Sequence, residues 1–106
     1  MSKKQVLFLC TGNSARSQMA EGLVRAFRGE TWEAFSAGTK PAGYIHQGAI
    51  AAMAELDIDI THQASKSVRE YMGRPFDLVI TVCDNAAKTC PVWLGQGEVR
   101  HVGFPD

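Results

Sequence analysis

The apolar run QVLFLC, residues 5–10, passes directly into the polar loop TGNSAR, and from Ser17 onward the spacing of apolar residues becomes helical. A continuous apolar stretch with no polar face suits a strand covered on both sides. A buried strand that enters an amphipathic helix through a short loop is the opening of a β-α-β unit.

The same alternation recurs along the chain. From Ser17 to about Arg28, Met19, Ala20, Leu23 and Phe27 fall on one helical face, with Gln18, Glu21, Arg25 and Arg28 opposite. Gly29 supplies a stop. Trp32 to Ser36 reads as a second strand ended by Ala37-Gly38, and Pro41 and Gly43 mark a loop. Ile45, Ala49, Ala52, Met53 and Leu56 form a second helical stripe. Ser67 and Glu70 have capping-box spacing, so a short helix is expected from there to about Gly73. Phe76 to Val82 is the third strand, closed by Cys83; DNAAKTC has room for a turn or two of helix; and Val99 to Phe104 is the fourth strand.

Strands alternating with helices predict one α/β domain, residues 1–106, built on a parallel sheet. Ligands of such sheets bind beyond the carboxyl ends of the strands. Cys10 ends the first strand, Cys83 ends the third and Asp106 closely follows the fourth. Three reactive groups far apart in sequence are therefore expected on one edge.

The loop after Cys10 suits a nucleophile facing an oxyanion. Only a thiolate attacks, and a free thiol is mostly protonated at neutral pH. Backbone amides of Thr11, Gly12, Asn13, Ser14, Ala15 and Arg16 can turn inward as an anion nest. The helix beginning near Ser17 offers its positive end. Arg16 presents a planar fork for two anion oxygens, and Ser17 has a hydroxyl to donate to the sulfur. Gly12 and Asn13 tolerate the positive φ that an inward-facing loop requires.

Charge and cysteine usage limit the alternatives. Eleven Lys and Arg balance eleven Asp and Glu, and no basic face is evident, so no nucleic-acid partner is expected. The apolar part of MSKKQVLFLC is too short for a signal or membrane segment, and the expected setting is the cytoplasm, away from any membrane. Three cysteines without an export signal do not make a disulfide framework. His46, His62 and His101 are scattered at no familiar ligand spacing, so no zinc site is expected.

Cys10-Thr-Gly-Asn-Ser-Ala-Arg16-Ser17, followed by Gln-Met-Ala-Glu-Gly, resembles the low-molecular-weight protein tyrosine phosphatase superfamily. More narrowly it resembles the thioredoxin-coupled arsenate reductases, as do Ser36-Ala-Gly38, Val82-Cys83, Cys90-Pro91 and Gly103-Phe-Pro-Asp106. The resemblance covers essentially the whole chain. It implies a four-stranded parallel sheet of order 2-1-3-4 flanked by helices. It also implies reduction of As(V) to As(III) without a cofactor: Cys10 attacks arsenate, Cys83 attacks Cys10 and releases arsenite, and Cys90 attacks Cys83 to leave a disulfide for thioredoxin. Asp106 is the implied general acid, and phosphate or sulfate would mimic arsenate in the loop. Were residues 83–90 helical, their ends would lie roughly 10 Å apart. A disulfide needs Cα atoms within about 7 Å, so the segment must rearrange on oxidation.

Two other readings share these residues. A phosphatase would use Cys10, Arg16 and Asp106 alone, and a non-enzymatic oxyanion-binding or redox-sensing module would use the loop without turnover. Cys83 and Cys90 discriminate the reductase from both. The chain departs from the family pattern in three places. Family members continue past this aspartate with a proline and a long final helix, so one sheet face is expected to lack that cover. Ala15 stands where relatives often have cysteine. Some relatives bind potassium near the positions of Asn13, Glu21 and Ser36, whereas this chain carries Ala64 and Lys66 around the corresponding later stretch. An ammonium there disfavours a cation, and no metal is expected.

Overall fold

The computed structural model describes residues 3–10, 12–71 and 73–82, and the backbone of strand 98–101. Four strands, β1 (Lys4–Cys10), β2 (Trp32–Gly38), β3 (Leu78–Thr81) and β4 (Glu98–His101), form one sheet of order β2-β1-β3-β4. Every pairing is parallel, as the alternating pattern predicts. Two α-helices, α1 (Arg16–Arg28) and α2 (Gln47–Ala54), and a 3-10 turn at Val68–Tyr71 connect the first three strands. Among the described residues no helix is long and apolar enough to cross a membrane.

β1 lies inside the sheet and is buried on both faces, which is why its sequence is apolar without alternation. Leu7 and Leu9 face one way and pack with Ala37, Tyr71, Phe76 and Val79. Val6, Phe8 and Cys10 face the other way, against Val82 and against Ala20 and Val24 of α1. Leu7 and Leu9 are both at 0% exposure, and each contributes about 1.5–3 kcal/mol through burial.

α1 is buried differently from its hydrophobic spacing. Ala20 and Val24 meet the sheet, while Met19 and Leu23 meet a second cluster of Ala49, Met53, Ile58 and Ile60. Phe27, expected in the core, is 64% exposed. Gln18 and Glu21, expected in solvent, are buried because the segment around residues 58–66 covers that side of the helix. Gly22 permits this close approach: a Cβ there would lie 2.6 Å from Ile60 Cγ2, a stiff β-branched methyl. Leu56 is likewise exposed, since α2 ends at Ala54.

Smaller differences lie at element ends. β2 continues through Gly38 and β3 starts at Leu78, with Phe76 buried just before it. Ser67 caps its 3-10 turn by accepting from Arg69 N, and Gly73 follows at φ +88°. β4 runs from Glu98 to His101, and the rest of the expected fourth strand lies outside the described residues, as does the DNAAKTC segment.

Phe35, Tyr71 and Phe76 form an aromatic triangle with centroids 5.6–6.0 Å apart, and the Arg74 guanidinium lies 4.7 Å from the Phe35 centroid. Burial raises the Tyr71 hydroxyl pKa above the usual 10.0; the Glu21 and Glu70 charges add to this and Arg74 opposes it. The unfolded chain therefore ionises at Tyr71 before the folded one. The stability this gives is complete below pH 10.0 and lost as pH rises above it. Tyr71→Phe is expected to show a shallower alkaline decline in its urea midpoint than wild type.

Candidate active site

Cys10 is the last residue of β1, opposite Gly38 of β2, and is 8% exposed. The loop that follows is shaped by what its carbonyls bind. The Gly12 carbonyl accepts from Ala42 N at 2.8 Å and from Ser65 Oγ at 3.2 Å. The Asn13 carbonyl accepts from Gln18 Nε2 at 2.9 Å, and the Ser14 carbonyl from His46 N at 2.8 Å. In a trans peptide the carbonyl and the following N–H point in opposite directions. With three successive carbonyls held by these surrounding partners, the amides of Asn13, Ser14 and Ala15 turn the other way. Asn13 has φ +49°, the left-handed conformation that asparagine tolerates better than most residues.

Asn13 is the hub of this loop and is fully buried. Its Nδ2 donates to Ser17 Oγ at 2.8 Å, and its Oδ1 accepts from Lys66 N at 2.7 Å. Gln18 Nε2 bridges to the Ala64 carbonyl at 2.8 Å, and Gln63 Nε2 donates to Gln18 Oε1 at 2.8 Å. Beneath these sits Glu21, 5% exposed, which accepts from Ser36 Oγ at 2.5 Å and from the Arg25 guanidinium. Every buried polar group named here thus has a partner, the condition for tolerating them in a core.

α1 begins at Arg16, behind an N-cap, Ala15, whose side chain makes no capping bond. The first amides of a helix have no intrahelical partner, and this terminus suits an anion. Gly12, Asn13, Ser14, Ala15, Arg16 and Ser17 are thus brought together after Cys10, with Ser17 fully buried and Arg16 half-buried. Thr11, Cys83, Cys90 and Asp106 lie outside the described residues. Val82, just before Cys83 in sequence, donates from its N–H to the carbonyl of Leu9, just before Cys10, at 2.8 Å. Gln18, Gln63 and the Lys66 amide were missed as supports of this loop. No periodic signal marks them, and only Gln18's place directly after Ser17 hinted at a role.

A strand, an anion-shaped loop and an uncapped helix are a recurrent arrangement, and sequence comparison identifies which one this is. Residues 5–103 match the family model described as low molecular weight phosphotyrosine protein phosphatase. The chain belongs to that family. Within this phosphatase family it resembles the arsenate reductases. It is 43% identical over 106 residues to an arsenate reductase of Halalkalibacterium halodurans, covering 100% of this chain and 76% of that one. Among solved structures, an arsenate reductase in its phosphate-binding state superimposes with a TM-score of 0.79 at 34% identity, over 97% of this chain and 79% of the other. A thioredoxin-dependent arsenate reductase of Corynebacterium glutamicum gives 0.80 at 30% identity, over 98% of this chain and 53% of the other. The 2-1-3-4 sheet order expected from the family resemblance is the order observed.

Proposed function

We propose that this chain is an arsenate reductase that works by a three-cysteine relay and is regenerated by thioredoxin. The amides of Asn13, Ser14 and Ala15 with the start of α1 would hold the arsenate oxygens, and Arg16 would grip two of them as a fork. The Cys10 thiolate attacks arsenic and displaces one oxygen as water, with Asp106 supplying a proton. Ser17 Oγ already accepts from Asn13, so its own hydrogen is directed to another acceptor, a role the sulfur fits.

The second step separates a reductase from a phosphatase. The Cys83 thiolate attacks the Cys10 sulfur, the sulfur–arsenic bond breaks, and its electron pair leaves with arsenic as As(III). Cys90 then attacks Cys83, freeing Cys10 and leaving a Cys83–Cys90 disulfide. Thioredoxin returns two electrons and two protons to that pair. The observation that carries this reading is the Val82–Leu9 hydrogen bond, which joins the residue before Cys83, just past the end of β3, to the residue before Cys10 on the neighbouring β1. The arsenate reductase relatives, one of them thioredoxin-dependent, support the same reaction.

Arsenate-dependent NADPH oxidation, coupled through thioredoxin and thioredoxin reductase, tests it. Wild type should turn over many times. Cys90→Ser should release no more than one arsenite per enzyme before stopping, and sustained turnover of that variant overturns the relay. Steady hydrolysis of an aryl phosphate, unaffected by loss of Cys83 and Cys90, would assign the chain to phosphatase chemistry instead.

A further inference from the structure

Glu21 carries a buried carboxylate whose side chain is 6% exposed, beside the loop that shapes the candidate site. Such a group requires positive charge close by. Arg25 meets Oε2 from the side, with its own side chain 44% exposed. On the other oxygen, Oε1, the Ser36 hydroxyl donates at 2.5 Å and the Lys66 ammonium lies 3.9 Å away. That ammonium also donates to the Ala64 carbonyl at 2.6 Å and is 19% exposed. A cavity of about 480 Å³, lined in part by Glu21, Arg25, His62, Gln63 and Lys66, opens beside it.

Carboxylate, hydroxyl and carbonyl oxygens such as these are the kind of donor a hard cation takes, yet they do not fit a potassium ion. Ala64 O already accepts from both Gln18 Nε2 and Lys66 Nζ, which fills its two lone pairs. Asn13 Oδ1 accepts from Lys66 N. An ammonium and a potassium ion have similar radii, and two such charges cannot share one carboxylate oxygen without strong repulsion.

We propose that the Lys66 ammonium is a tethered replacement for a monovalent cation, and that it makes the oxyanion loop independent of potassium. Lys66 acts from both ends. Its ammonium offsets Glu21 and anchors Ala64, while its backbone amide holds Asn13, whose side chain positions Ser17. Ala64 in turn fixes Gln18, which binds the Asn13 carbonyl. Lys66 is therefore a positioning residue for the loop. This rests on the loop's geometry and holds whichever reaction the loop performs.

Thermal melting in potassium chloride and in tetramethylammonium chloride at equal ionic strength tests the idea without reference to turnover. Wild type should melt at the same temperature in both salts; a saturable rise with potassium overturns the proposal. Lys66→Ala should melt about 5 °C or more lower in tetramethylammonium and recover at least half of that loss as potassium saturates the vacated space. No loss, or an equal loss in both salts, overturns it. Inorganic phosphate binding, measured by calorimetry, should weaken in Lys66→Ala and recover with potassium alone, whereas a purely structural role would leave it the same in both salts. If Lys66→Ala does not fold, Lys66→Gln decides: it keeps a donor for Ala64 but has no charge, so it should melt below wild type. Wild-type melting of Lys66→Gln overturns the proposal.

Discussion

Cys10→Ser should abolish arsenate-dependent NADPH oxidation, by a factor on the order of 10⁴ or more, the scale on which loss of a covalent nucleophile is felt. Sulfur is needed twice in the proposed reaction: as a thiolate that attacks arsenic, and as an atom that a second thiol can attack to expel As(III). A serine oxygen does neither at neutral pH, because the hydroxyl does not ionise and no oxygen–sulfur exchange follows. Cys10 packs with Val6, Phe8 and Val82 at the end of β1, so the variant buries a hydroxyl in an apolar cluster. That costs roughly 1–2 kcal/mol, small enough for the fold to survive. Calorimetric titration with inorganic phosphate should still show binding, since the amides and Arg16 remain. Wild-type turnover by Cys10→Ser would remove Cys10 from the reaction, and loss of phosphate binding would make its role structural instead of nucleophilic.

The first third of the chain was largely legible from sequence. An apolar run buried on both faces, a Gly-Asn-containing loop and a helical stripe left few alternatives for β1, the loop and α1. The sheet order was not available from spacing. Short strands such as Leu78–Thr81 carry no mark of which neighbour they pair with, and the 2-1-3-4 order came from the family resemblance.

The errors on α1 share one physical origin. Hydrophobic spacing assumes that a helix buries a single apolar stripe, with polar residues facing water. α1 is enclosed on more than one side, and the cover includes polar groups: Gln18 and Glu21 are buried because Gln63, Ala64, Ser36 and Arg25 supply partners. Those partners come from β2, from a segment without periodicity and from α1's own next turn, so no local pattern announces them. Phe27 falls in the last turn of α1 and is left exposed there, although its spacing matches Leu23. The residue types of an anion-facing loop were readable, but of the partners that hold its carbonyls only Gln18 is close in sequence, and Ala42, His46 and Ser65 lie some 30 to 50 positions away.

Asn13, tied to Ser17 nearby and to Lys66 from 53 positions away, is the most sensitive residue outside the chemistry. Asn13→Ala removes the donor to Ser17 Oγ, which is buried, and the acceptor for Lys66 N, which is partly buried. Each group left without a partner costs about 1–3 kcal/mol. Alanine at φ +49° adds strain of about 1 kcal/mol that asparagine largely avoids. The total, roughly 3–7 kcal/mol, is a large share of the about 5–15 kcal/mol that holds a typical domain together. Melting should therefore fall by about 10 °C or more. A loop shifted by an ångström would also lower kcat/KM for arsenate by about 10². Asn13→Asp separates the two effects. It keeps an acceptor for Lys66 N and tolerates positive φ, so it should melt well above Asn13→Ala. It loses the donor to Ser17 and places a carboxylate beneath the anion, so arsenate turnover and phosphate binding should remain impaired. Recovery of both by Asn13→Asp would mean that the Lys66 contact alone holds the loop, and that the Ser17 bond is incidental.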